Sequence, residues 1–139
     1  MEMSFREKSA WISVGLILLV FGPYFWLVGR SVAGVGHVHG GTQFALILLF
    51  VVLEIVLHVA IAAQSPRDAR APKDEREHLI DLRATHTAFY VLFGGALLSI
   101  FTMHFRVNVW TLSQFVLFSI VVAELVKFAR QIVLFRRGF

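Results

Sequence analysis

"TQFALILLFVVLEIVLHVAIAA", residues 42–63, decides the fold. Its length matches the roughly 20 residues that carry a helix across a hydrocarbon core of about 30 Å. Past Gln43 its only ionisable groups are Glu54 and His58. A run this apolar must be buried in lipid or in protein, and an ionisable group inside it costs free energy. Its glutamate therefore raises the functional question, and its greasiness answers the structural one.

The rest of the chain repeats the pattern. Apolar runs at 10–28, 84–103 and 109–129 join the one at 42–63, with a polar connection at 64–83. Of 139 residues, 58% are hydrophobic and only 16% charged, with mean hydropathy +0.75. A soluble domain of this length has too little core for so much apolar surface. The sequence predicts an all-α polytopic membrane protein: one domain of four transmembrane helices, arranged as two tandem hairpins. The first apolar run is too long for a signal peptide, and no small-residue cleavage site follows it. Gly22-Pro23 predicts a bend in the first helix. Tyr24, Trp26 and Trp110 are expected at one interface, and Trp11 at the other.

Direction follows from the basic residues. Of the 13 Lys and Arg, Arg6, Lys8, Arg67, Arg70, Lys73, Arg76, Arg83, Lys127, Arg130, Arg136 and Arg137 fall on one side. Only Arg30 and Arg106 fall on the other. The positive-inside rule then puts both termini and the 64–83 connection in the cytoplasm. The net charge of +4 suits anionic headgroups rather than nucleic acid, because the basic residues lie between apolar spans. Without cysteine there is no disulfide, thiolate nucleophile or Cys-based metal site. No GxSxG, Walker, HExxH or Rossmann pattern occurs, which points to a non-enzymatic protein.

A second signature precedes the third span. In "KDEREHLIDLRATH", residues 73–86, Asp74 and Glu77 have capping-box spacing, so a helix is expected from about Glu75, two turns ahead of the lipid. Asp74, Glu75, Arg76 and Glu77 then form either a solvated helix start or a docking surface for a cytosolic partner. The second and fourth spans also resemble each other. "QFALILLFVVLEIVLH" from Gln43 aligns with "QFVLFSIVVAELVKF" from Gln114 across one gap, bringing Glu54 opposite Glu124. Duplication of a two-helix hairpin explains this, and so does chance among Val/Leu-rich helices.

Depth sorts the polar residues into two groups. Toward the cytosol lie Glu54, His58, His86 and Glu124, with Asp81 and Thr85 at the entrance. Glu54 and His58, four apart, share a helix face. A carboxyl in lipid is either neutral or paired, and it faces the bundle. Glu54 is thus expected inside, with His58 or His86 as partner, while Glu124 has Lys127 one turn away. This cluster reads as a clasp between helices, as a proton- or ligand-responsive site, or, with His58 and His86 as axial ligands, as a haem site. Toward the outside lie His37, His39 and His104, whose three imidazoles suit zinc or copper.

At "KDEREHLIDLRATHTAFYV" (73–91), and in the opening "SFREKSAWIS" (4–13), the chain resembles small prokaryotic integral membrane proteins of unknown function. These carry an Asp-Glu-Arg-Glu motif before the third of four helices. The resemblance implies a bacterial inner-membrane protein but no activity. Pairing of some relatives with helix-turn-helix regulators implies a cytosolic regulatory partner. Small multidrug transporters also have four helices and a membrane glutamate. Here, however, the glutamate lies in span two, and the charge bias opposes dual topology. The leading expectation is a sensor or regulatory membrane protein. The alternative is a proton-coupled transporter using Glu54 and Glu124, as a homodimer because four helices enclose little room.

Overall fold

The computed structural model describes residues 4–64, 66 and 72–137. Ser65, Arg67 and Arg70, which entered the charge argument and the connecting loop, lie outside the described residues. The described chain is α-helical, without a strand: α1 is Phe5–Val32, α2 Gly40–Gln64, α3 Glu75–Thr102 and α4 Val109–Arg137. All four are long and apolar enough to cross a membrane. At 1.5 Å per residue each is longer than the roughly 30 Å of a hydrocarbon core.

Local chemistry sets the boundaries. Ser4 caps α1 by accepting a hydrogen bond from the Glu7 amide. The helix then continues through Pro23. It closes where Gly34 takes φ +78° and the amides of Gly34 and Val35 donate to the carbonyls of Ser31 and Arg30. That is a Schellman arrangement, which a residue with a Cβ adopts only at a cost. Asp74 and Glu77 form the full capping box on α3. A single 3-10 turn, Met103–Phe105, ends at Arg106 in the left-handed region. Asn108 then caps α4 through the Thr111 amide.

The four helices alternate in direction, as the contacts at their ends show. Arg136 near the end of α4 reaches Glu7 near the start of α1, and Arg6 reaches Glu77 at the start of α3. Both described chain ends thus lie at one end of the molecule, here the terminal end. At the opposite, loop end, Tyr24, Gln43 and Gln114 meet.

Packing is uneven. α1 lies between α2 and α4, and α3 packs chiefly on α4. Leu16, Ile17, Val20, Phe21 and Val28 of α1 bury against Leu117 of α4, with Phe50 and Leu53 of α2 partly buried against them. α2 has no fully buried residue. Lipid supplies little hydrophobic drive between helices, so close packing and hydrogen bonds must hold them. α3 and α4 use the first of these. Ala84, Ala88, Gly95 and Ser99 form a small-residue stripe, and a Cβ at Gly95 would stand 2.5 Å from Ser119 Cβ. α1 and α2 use the second, and there the candidate site lies.

Candidate functional site

A step of four residues down α1 matches a step of four up the antiparallel α2. Ser9 Oγ lies 2.7 Å from His58 Nε2, and Ser13 Oγ donates to Glu54 Oε1 at 2.5 Å. His58 Nδ1 is 2.8 Å from the Glu54 main-chain carbonyl and 3.7 Å from Oε1 of the same residue. A carbonyl oxygen can only accept, so Nδ1 carries a proton. In the neutral ring Nε2 is then the acceptor, and Ser9 donates to it. The result is a continuous polar string, Ser9–His58–Glu54–Ser13, in an otherwise apolar interface. Ser13 is fully buried, and the side chains of Glu54 and His58 are 22% and 38% exposed.

One atom in this string is unsatisfied. Glu54 Oε2 is buried and has no hydrogen-bond partner. Ionised, the carboxylate keeps one bare oxygen away from water; protonated on Oε2, it holds a donor with no acceptor. Either state costs free energy.

The expected single cluster around Glu54 is divided. His86 and Thr85 are exposed, and the His86 ring packs edge-on against Tyr90. The reason is azimuthal: α3 buries Ile80, Ala84 and Ala88, which turns positions 85 and 86 away from the bundle. His86 is therefore not brought to Glu54 or to His58. Glu124 pairs with Lys127 at 3.0 Å. Asp81 accepts from Lys73 at 2.6 Å and from Gln131 at 3.0 Å.

Those last groups belong to a cleft of about 290 Å³ at the terminal end. Its walls include Arg6 and Ser9 of α1, Lys73, Glu77 and Asp81 at the start of α3, and Lys127 of α4. Ser9 thus has one side on the cleft and its hydroxyl on His58. The Asp-Glu-Arg-Glu motif is largely spent here. Asp74 and Glu77 cap α3, Glu77 also pairs with Arg6 at 2.7 Å, and Arg76 donates to the Phe135 carbonyl. Only Glu75 keeps its side chain outside these contacts. Arg136 completes the junction, 3.2 Å from Glu7 and stacked 5.3 Å from the Trp11 ring centre.

At the loop end Tyr24 donates to Gln114 Oε1 at 2.7 Å, and Gln114 Nε2 donates to Gln43 Oε1 at 3.0 Å. The two glutamines that open the repeated stretches thus bond each other. Tyr24 is buried in the bundle, whereas Trp26 is exposed beneath Arg30. His37, His39 and His104 are exposed, and among the described residues no group of three His, Asp or Glu is gathered to hold a metal.

Ser9 and Ser13 are the site residues that the sequence argument missed. Their signal was present: two serines four apart on α1, at the same depth as a glutamate and histidine four apart on the following antiparallel helix. No protein-family model matches the chain, and no match was found among curated proteins or solved structures.

Proposed function

We propose that this chain is a non-enzymatic, proton-responsive membrane protein whose sensing groups are Glu54 and His58. It lies in a bacterial inner membrane, with four spans as two tandem hairpins and with both termini and the start of α3 in the cytosol. The observation that carries the reading is the buried, unpartnered Glu54 Oε2 beside an imidazole that is itself hydrogen-bonded toward a solvent-facing cleft. Such a carboxyl has a weakly compensated state on either side of protonation. Its proton occupancy is therefore open to control by its surroundings. Transport through paired glutamates is less favoured, because Glu124 is engaged by Lys127 and does not join the Glu54 string.

The test compares tryptophan fluorescence of the parent, Glu54→Gln and Glu54→Ala proteins in lipid nanodiscs between about pH 5 and 9, a window around the ~6.5 reference value of histidine. The parent should show a pH-dependent transition. The glutamine variant should fold with the parent's helicity and lose that transition. A glutamine variant with the parent's full response would return Glu54 to a structural clasp.

A further inference from the structure

Ser9 is the one member of the polar string that also lines the terminal cleft. We infer that its hydroxyl is a polarity switch, carrying the protonation state of the buried site to the charged cleft at the helix ends. The inference rests on the proton-responsive reading of Glu54 and His58 and adds how that site is read out.

The Glu54 carbonyl holds the Nδ1 proton of His58, so in the neutral ring Nε2 must accept and the Ser9 proton must point inward. Protonation reverses this. A hydronium ion in the cleft gives a proton to Ser9 Oγ, and Ser9 passes its original proton to His58 Nε2. One O–H bond forms on serine, one breaks, an N–H bond forms, and the hydronium leaves as water. The imidazolium Nε2–H now donates to Ser9 Oγ. The remaining serine proton is then free to turn outward, and we take its acceptor to lie in the cleft that Ser9 lines. The carboxylates there are Asp81 and Glu77, held among Arg6, Lys73 and Lys127, with Glu124 paired to Lys127. A new hydrogen bond to Glu77 competes with its pair to Arg6, which fastens α3 to α1, and one to Asp81 competes with its bonds to Lys73 and to Gln131 of α4. The Nδ1–H stays on the Glu54 carbonyl, and the ring's new charge lies beside the carboxyl, with Nδ1 3.7 Å from Glu54 Oε1.

This coupling through a hydroxyl is separable from coupling through space. The His58 ring is titrated by NMR in full-length protein in nanodiscs, in the parent and in Asp81→Asn and Glu77→Gln, each with and without Ser9→Ala. Removing a cleft carboxylate should lower the His58 midpoint in the parent, since the imidazolium loses the acceptor at the end of its string. The Ser9→Ala background should remove more than half of that shift, and Ser9→Thr, which keeps the hydroxyl, should restore it. Shifts of equal size with and without the Ser9 hydroxyl, or no shift for either carboxylate in the parent, would overturn the inference. The ring is read directly, so the result does not depend on the Glu54→Gln fluorescence test. Failure of one is distinguishable from failure of the other.

Discussion

Ser13 and Glu54 meet in the α1–α2 interface, the fully buried serine hydroxyl donating to a carboxyl whose second oxygen has no partner. Removing the hydroxyl leaves both carboxyl oxygens unsatisfied. Ser13→Ala should therefore destabilise the protein by about 1–2 kcal/mol, the upper range for intramembrane hydrogen bonds. Reversible unfolding in mixed micelles checks this. In a Glu54→Leu background the same change should cost much less, because no polar partner is left stranded.

The α3–α4 contact makes a steric prediction. A methyl at Gly95 would collide with Ser119, whereas one at Gly94 meets nothing within 4 Å. Gly95→Ala should cost about 1–3 kcal/mol, as overpacking does elsewhere, and Gly94→Ala should be close to neutral. Ser119→Gly should recover much of the loss at Gly95. Equal tolerance at both glycines would contradict the packing.

At the loop end, Tyr24→Phe strips Gln114 of its buried donor. The loss should be about 1 kcal/mol. Gln114→Leu should cost more, because it orphans the Tyr24 hydroxyl and leaves Gln43 Oε1 only the longer bond from Ser113. Thermal unfolding of the two variants and of Gln43→Leu gives the ranking.

Topology has its own test. Cysteines introduced at Gly36 and Glu75, both exposed, should label from opposite faces of the membrane, with Glu75 reached only from the cytosolic face. Labelling of both from outside intact spheroplasts would reverse or discard the orientation.

What the sequence made legible was local. The Asp74–Glu77 capping box and the Glu54–His58 pair depend on spacings of three and four along one helix, and periodicity alone supplies them. Position along the helix axes was legible too, since the alternation of apolar runs and polar connections decides which helix ends lie together. Azimuth was not. His86 shares the depth of Glu54 yet faces away, because Ala84 and Ala88 take the buried stripe of α3. Small residues signal close packing only when their partner helix is known, and the partner of α3 is α4. Ser9 and Ser13 stayed hidden for a different reason: serine is common on membrane helices, and only the matched step on α2 gives these two meaning. The repeat was visible as sequence, but not the bond between Gln43 and Gln114. The hairpins also pack differently, α3–α4 on small residues and α1–α2 on polar bonds, so similar sequence did not bring similar contacts.

The central claim is that Glu54 is the proton-responsive group. Infrared difference spectroscopy of the protein in lipid measures this directly through the carbonyl stretch of a neutral carboxylic acid. Between about pH 5 and 9, the parent should show a protonated-carboxyl band that fades as pH rises, with a carboxylate band growing in its place. Glu54→Gln should lack both changes, while Glu124→Gln should keep them. A band that is absent throughout, that does not change with pH, or that titrates undiminished in the Glu54→Gln protein would contradict the account.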